Sequence, residues 1–184
     1  MSQNVALSLG AALLAALVLA CGSDRPDATD SQYAHLLTFD TARVRLTTAR
    51  VTTTVVAELA ETPEQHTMGL MERRTLAPDA GMLFLYASAQ PDSSAFWMYR
   101  TRIPLDIAFI DSTGVIRTIQ TMTPCPTALA AACPEYPAGA RYVAALEVNA
   151  GFFARHGLRI GDRVLLQDTL TRPGTTRPPT PHTP

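Results

Sequence analysis

The side chains best suited to ligand binding are concentrated in residues 96–106. This stretch holds the only Trp of the chain, two further aromatic residues and two Arg. Aromatic rings can stack on a ligand, and an Arg guanidinium can bind an anion or a carboxylate. Alternation along a strand puts Trp97 and Tyr99 on one side and Phe96 and Met98 on the other, so Trp97 and Tyr99 are candidate binding residues. The simpler alternative is a core strand followed by solvated Arg side chains.

Two carboxylates are candidates for acid–base chemistry. A glycosidase needs two carboxyl groups, one of them with a raised pKa. Asp106 follows the Arg-rich segment and Glu147 interrupts an apolar run, whereas Asp111 and Asp162 are more simply turn residues. An envelope hydrolase acting on glycan or peptide through Asp106 or Glu147 is therefore an alternative function. The simpler interpretation is a structural ion pair, because an unpaired buried charge is costly.

Metal, cofactor and lysine chemistry find no support in the sequence. All 15 basic residues are Arg, which excludes Schiff-base chemistry and the P-loop lysine. No His has a partner at i+4 or a carboxylate at ligand spacing, and no dinucleotide fingerprint occurs. We therefore predict no metal, no cofactor and no catalytic residue. The histidines are interpreted as solvated surface residues: His35, His66, His156 and His182.

The N-terminal segment indicates an extracytoplasmic, lipid-anchored protein. Residues 5–20 form an apolar run that suits a signal-peptide core better than a transmembrane helix. Val-Leu-Ala at 18–20 before Cys21 resembles the lipobox of bacterial lipoproteins, which implies cleavage before Cys21 and acylation of its thiol, as with palmitate. We predict a signal peptide over 1–20, a membrane anchor at Cys21 on the periplasmic side and a flexible tether over 21–35. Ordinary secretion with a free thiol and an uncleaved anchor are the alternatives.

The other two cysteines are predicted to form a disulfide. If Cys21 carries lipid, Cys125 and Cys133 remain, an even number that suits an oxidising compartment. A bridge between them closes a short loop and stabilises the fold by about 2–3 kcal/mol. A redox pair or a metal site is the alternative, but the spacing is not C-x-x-C and no third soft ligand lies nearby in the sequence.

The elements that position these residues form one mainly β domain over residues 36–170, followed by a disordered Pro/Thr-rich tail over 171–184. About seven short strands and two short helices indicate a compact sandwich-like or barrel-like fold. Thr-Pro-Glu-Gln at 62–65 supplies an N-cap, a first-turn Pro and a capping-box partner for one helix. A second helix is predicted between the N-cap Asn149 and Gly157. The predicted strands cover residues 44–46, 50–59, 82–86, 95–99, 107–110, 115–122, 142–148 and 163–167.

Six ordered motifs run through the folded segment. They are Gly-Leu-Met-Glu-Arg at 69–73, Gly-Met-Leu-Phe at 81–84, Phe-Trp-Met at 96–98, Ile-Pro-Leu-Asp-Ile-Ala-Phe-Ile-Asp at 103–111, Leu-Glu-Val-Asn-Ala-Gly at 146–151 and Gly-Leu-Arg-Ile-Gly-Asp-Arg-Val at 157–164. Together they resemble the family catalogued as domain of unknown function 192, over about residues 44–168. The resemblance implies a small β-sandwich-like domain, often secreted or lipid-anchored, with no established activity. Tyr-Arg-Thr at 99–101 departs from the family's commoner Lys-Asn-Thr.

The resemblance narrows the candidate site to motif positions that core packing explains least well. With Tyr99, the candidate binding residues are Arg73, Trp97, Asp106, Glu147 and Asn149. Arg73 follows the first helix, and its planar fork fits a carboxylate at two points. We predict that Arg73 pairs with Glu147, or failing that with Asp106, at the edge of the sheet.

Charge and composition limit the partners. The 15 basic residues are balanced by 16 acidic ones, a net charge of −1, so nothing points to nucleic acid. The expected partners are the membrane, through the lipid anchor, and an envelope polymer, a small ligand or a protein. The sequence predicts a non-catalytic ligand- or partner-binding accessory module of the cell envelope.

Overall fold

The computed structural model describes residues 37–125, 127 and 129–170, which form a mainly β domain, as predicted. The described residues hold nine strands where about seven were expected, and two short α-helices. The predicted signal peptide, Cys21, the predicted tether and the predicted tail lie outside the described residues. The elements are β1 Thr41–Thr47, β2 Thr52–Ala60, α1 Pro63–Met68, β3 Ala80–Gln90, β4 Ala95–Trp97, β5 Leu105–Ile110, β6 Ile116–Met122, a 3-10 turn Ala130–Ala132, β7 Glu135–Pro137, β8 Tyr142–Asn149, α2 Phe152–Arg155 and β9 Arg163–Leu170.

Seven strands form one curled sheet in the order β6-β5-β8-β3-β2-β1-β9. β2 and β3 pair in parallel and are joined through α1, whereas the other neighbours in this sheet are antiparallel. The two sheet edges meet at one point, where Val115 bridges to Arg163 and the Ile116 N–H donates to the Asp162 carbonyl at 2.9 Å. The sheet is therefore a half-barrel. β4 and β7 form a separate two-stranded sheet.

The sheet presents alternate residues to two apolar clusters. In β8, Leu146 and Val148 belong to one cluster, together with the two Phe residues of α2. Ala145 belongs to the other, with Phe84 of β3. Because side chains alternate along a strand, Glu147 lies on the face of Ala145 and not on that of Leu146.

Helix α1 begins and ends as its sequence predicts. The Thr62 hydroxyl accepts from the Gln65 N–H at 3.3 Å, and the Gln65 side chain accepts from the Thr62 N–H at 3.0 Å, which is a capping box. The helix stops at Gly69, whose φ of 46° suits a residue without a Cβ. A Cβ built on Gly69 would lie 3.4 Å from the Phe84 ring, so the end of α1 sits directly on the sheet.

Cys125 and Cys133 form a disulfide with their Cα atoms 5.8 Å apart, which confirms the predicted bridge. Cys125 also forms a β-bridge with Tyr99, and its carbonyl accepts from the Arg100 N–H at 2.9 Å. The disulfide loop is thereby fixed to the segment that follows β4.

Candidate functional site

A small cavity opens where the end of α1 meets the sheet. It is lined by residues 66–71 on one side and by Phe84, Phe96, Trp97 and Glu147 of the strands on the other. Its volume is about 30 Å³, which is room for one or two groups the size of a water molecule. We call it the Glu147 cavity.

Glu147 is the buried acidic side chain of this cavity. It lies in β8 between Met82 of β3 and Ile107 of β5, and only 5% of the surface of Glu147 is exposed to solvent. Within residues 37–125, 127 and 129–170, its carboxyl has no hydrogen bond or ion pair. Every fully buried side-chain oxygen of the described residues has a hydrogen-bond partner. Since the Glu147 oxygens have none, they are not fully buried and are in contact with the space of the cavity. Burial raises the pKa of Glu147 to about 8.

Aromatic side chains surround the same space. Phe84 and Phe96 make an edge-to-face contact at 5.0 Å between ring centroids. Trp97 is 43% exposed, and its ring lies 5.5 Å from that of Tyr99. The structure therefore brings together three candidates from the sequence, Trp97, Tyr99 and Glu147, of which Trp97 and Glu147 line the cavity itself.

His66 is not the solvated surface residue that the sequence analysis expected. Its Nε2 lies 3.0 Å from the Ala60 carbonyl and 3.1 Å from the Leu85 carbonyl, and its ring packs 4.5 Å from that of Tyr86. Both partners are acceptors, so Nε2 carries the proton and ties α1 to the end of β2 and the middle of β3. The signal for this role was the capping box, which fixes the start of α1 and hence the face that carries His66.

Asp106 lies on the opposite face of the sheet from Glu147. It is 3% exposed and pairs across the β5–β6 ladder with Thr121, whose hydroxyl donates to its carboxylate at 2.7 Å. Neighbouring β5 residues alternate in direction, and it is Ile107 that stands beside Glu147. The two carboxylates do not converge on one cleft, so a two-carboxylate hydrolase has no geometric support here.

Arg73 pairs with Glu58, and the predicted pairing with Glu147 or Asp106 is wrong. The guanidinium binds both oxygens of Glu58, with Nη1 at 2.7 Å from Oε1. Glu58, Met82 and Glu147 are consecutive in register on β2, β3 and β8. Arg73 therefore binds a residue of the same cross-strand row as Glu147. The residue that it binds, Glu58, lies two strands away from Glu147, which is about 10 Å at the usual strand spacing.

Asn149 is not the N-cap of α2, which is a correction to the sequence analysis. The helix begins after Gly151, whose φ of 78° places it in the left-handed region. The Asn149 amide instead donates to the Leu76 carbonyl at 3.1 Å and to the Ala77 carbonyl at 3.0 Å. It fixes the loop before β3 and does not line the cavity.

One known protein family matches nearly all of the folded segment. The family model of domain of unknown function 192 (DUF192), described as "Uncharacterized ACR", matches residues 44–166. The chain belongs to this family. No curated protein matches the chain.

Two solved structures are similar to this DUF192 chain. One is a candidate transcription regulator from Sinorhizobium meliloti 1021, with 39% identity and a TM-score of 0.62, covering 71% of this chain and 96% of its own. The other is a protein of unknown function from Novosphingobium aromaticivorans DSM 12444, with 34% identity and a TM-score of 0.59, covering 68% of this chain and 84% of its own. Neither description establishes an activity for the DUF192 domain.

A charged cluster beside the cavity of the DUF192 domain was missed by the sequence analysis. Glu72 binds Arg100 at 2.8 Å between Oε1 and Nε, and it also binds Arg102. Burial raises the pKa of Glu72, but the hydrogen bonds and charges of these two Arg outweigh it, so its pKa lies below the usual value. Glu72 and Arg100 both have positive φ, 61° and 53°, and the Glu72 N–H donates to the Arg100 carbonyl at 2.9 Å. Such strained residues concentrate at functional sites, and these two fix the segments on either side of the cavity.

The described part of the DUF192 chain contains neither a membrane-spanning helix nor a metal-binding cluster. None of its helices has the length and apolar character needed to cross a membrane. The same residues hold no group of three or more His, Cys, Asp or Glu side chains placed to bind a metal ion.

Proposed function

We propose that this DUF192 chain is a binding module held on the periplasmic side of the cell envelope by a lipid on Cys21. In this proposal the Glu147 cavity receives a group of the ligand, and the module acts as an accessory protein that binds without catalysis. The lipobox-like segment before Cys21 supports the anchor. The Cys125–Cys133 disulfide agrees with an oxidising compartment.

The unpartnered carboxyl of Glu147 is the observation that carries the binding function. A buried polar group without a hydrogen bond lowers the stability of a fold, and most buried polar groups therefore have partners. Glu147 is 5% exposed and faces a cavity next to the exposed ring of Trp97. A polar group beside aromatic rings in one recess is a usual arrangement for orienting a ligand.

Nucleic acid is not the proposed ligand, although one similar structure is described as a candidate transcription regulator. The chain has a net charge of −1, so it has no excess positive charge for a phosphate backbone. Near the cavity, Arg73 binds Glu58, and Arg100 and Arg102 bind Glu72. Each of these guanidinium groups is already paired with a carboxylate within the domain.

A thermal-shift screen of the full-length chain tests the proposed binding. Envelope glycans, peptides and nucleotides are the compounds, and a ligand at 100 times its Kd stabilises the protein by about 2.7 kcal/mol, which raises Tm by several degrees. We expect Trp97→Ala to lose most of that rise. Leu165→Ala is the matched control, because Leu165 is also 43% exposed but lies on β9 at the far edge of the sheet. The proposal is wrong if no compound raises Tm, or if the rise survives in Trp97→Ala.

A further inference from the structure

The polar atoms around the Glu147 cavity are mainly hydrogen-bond acceptors. The ionised Glu147 carboxyl supplies two acceptor oxygens, and the Thr101 hydroxyl donates to the Tyr99 carbonyl at 3.4 Å while its lone pairs stay available. The Nε2 proton of His66 is already directed at two carbonyls. A ligand group that fits this wall must therefore bring donors.

The end of α1 adds to the negative character of the wall. The Gln65 carbonyl accepts from the Gly69 N–H at 2.9 Å, and the Met68 carbonyl accepts from the Met71 N–H at 3.1 Å. His66 and Thr67 lie between Gln65 and Met68 and line the cavity. Among the described residues, no backbone N–H of the loop after α1 donates to the carbonyl of either one. Unpaired carbonyls at a helix C-terminus carry partial negative charge, which favours a cation.

Among the described residues, no Arg forms an ion pair with Glu147. Arg73 is held by Glu58, two strands away in the same row, and Arg100 and Arg102 are held by Glu72. A counter-ion for the ionised form of this carboxyl therefore has to come from the ligand. Aromatic faces next to the carboxyl, above all the exposed ring of Trp97, would add cation–π attraction and cover an alkyl stem.

The size of the cavity selects the kind of cation. A volume of about 30 Å³ has room for one or two groups the size of a water molecule, and a single nitrogen with its hydrogens is a group of that size. A quaternary ammonium carries four carbons on its nitrogen and a guanidinium carries three nitrogens on its carbon, so both are bulkier than a primary ammonium group and suit this small space less well. A primary ammonium also has three donors, which match the carboxylate and the nearby carbonyl oxygens.

We infer that the Glu147 cavity binds a primary ammonium group on an unbranched alkyl stem, with the carboxylate of Glu147 as its counter-ion and Trp97 against the stem. This inference rests on the proposed binding function and names its ligand class. A free alkylamine and the side chain of a lysine residue in a peptide share this chemistry.

Binding of an ammonium group must be linked to the release of a proton. Burial keeps Glu147 protonated near neutral pH, and an ammonium group beside it favours the carboxylate. The titratable groups that face it from other elements are His66 of α1 and Tyr86 of β3, while its strand neighbours Met82 and Ile107 are apolar. Burial, Tyr142 and then Glu147 raise the pKa of Tyr86, so Tyr86 stays neutral over the range tested.

Fluorescence of Trp97, the only Trp of the chain, reports the binding directly. The full-length protein is titrated with n-butylammonium chloride between pH 6 and 8.5, at constant ionic strength set with NaCl, and with n-butanol as the neutral isostere. We expect saturable binding of butylammonium whose affinity rises nearly tenfold per pH unit below about pH 8. Butanol is expected to bind at least tenfold more weakly at pH 8.

Two carboxyl-to-amide variants separate the cavity from the rest of the protein. Glu147→Gln keeps His66 and Tyr86 and should weaken butylammonium binding at least tenfold at pH 8, with no remaining pH slope. Asp106→Asn makes the same exchange on the opposite face and should keep both the affinity and the slope. Titration with Nα-acetyl-lysine methylamide identifies the source: tighter binding than butylammonium supports a lysine side chain, and weaker binding supports a free amine.

The outcomes also separate this inference from the proposed function on which it rests. If butanol binds as tightly as butylammonium, and Glu147→Gln changes nothing, the ammonium inference is overturned while the cavity remains a binding site. If no amine and no compound of the thermal-shift screen acts on the protein, the proposed binding function is overturned as well.

Discussion

Exchanging Glu147 for Gln should make the protein more stable at neutral and alkaline pH. Burial raises the pKa of Glu147 to about 8 from an ordinary value of 4.5. Below pH 4.5 the carboxyl is protonated in both the folded and the unfolded chain, and protonated Glu and Gln are neutral side chains of the same shape. We therefore expect the two proteins to have similar free energies of unfolding at low pH.

Above pH 4.5 the two proteins diverge. The unfolded wild-type chain releases the proton of Glu147 while the folded protein keeps it until about pH 8, so the folded state binds more protons in this window. The free energy of unfolding then falls as pH rises, by about 1.4 kcal/mol per pH unit for one proton. The Gln variant lacks this pH-dependent loss of stability, because Gln does not titrate. The expected difference in its favour is about 3 kcal/mol at pH 7 and about 4 kcal/mol at pH 8, and it approaches about 5 kcal/mol only above pH 8.

Urea-induced unfolding followed by circular dichroism at pH 5, 6, 7 and 8 measures this difference. The disulfide is kept intact, and the slope m is compared between variants so that Cm reports stability alone. Asp106→Asn is the control, because Asp106 is equally buried but accepts a hydrogen bond from Thr121. Parallel stability profiles for wild type and Glu147→Gln between pH 5 and 8 would refute the reasoning, as would a Gln variant that is less stable at pH 8.

Three further predictions concern the anchor, the disulfide and the Arg73 ion pair. A clickable fatty acid should label the wild type and not Cys21→Ala, and label that persists in the variant contradicts the lipid anchor. Intact mass after alkylation without reductant should show no added label on Cys125 or Cys133, and reduction should lower the free energy of unfolding by about 2–3 kcal/mol; two alkylated thiols would exclude the bridge. Arg73→Ala and Glu58→Ala should show a coupling of about 0.5–1 kcal/mol in a double-mutant cycle, since their side chains are 33% and 25% exposed; strictly additive losses would contradict the pair.

Features set by neighbouring residues were predictable from the sequence. The capping box at Thr62, the disulfide, and the turn at Asp111 all depend on residues a few positions apart. The turn shows this well: the Asp111 carboxylate accepts from the Thr113 N–H at 2.8 Å, and Gly114 follows with a φ of 77°. Alternation likewise gave the long strands and the mainly β class, because it records which side of each strand is buried.

Features set by strand order were not predictable in the same way. The parallel pairing of β2 with β3 and the separate β4–β7 ladder join segments whose contacts leave no local pattern. The Asn149 correction has a similar cause. A polar residue before a helix suits an N-cap, but the side chain found acceptors in the distant carbonyls of Leu76 and Ala77.

The ion pair between Arg73 and Glu58 shows how strand order determines which carboxylate stays unpaired. Glu58 stands among the polar positions of β2, whereas Glu147 stands in an apolar run, which is why the sequence suggested a partner for Glu147. The parallel ladder sets Glu58, Met82 and Glu147 in one row, and Arg73 meets that row at Glu58. Because one guanidinium cannot bind two carboxylates about 10 Å apart, Glu147 is left without a cation beside a cavity that can admit one. The arrangement that made the sequence-based pairing wrong is therefore the same one that makes Glu147 available to a ligand.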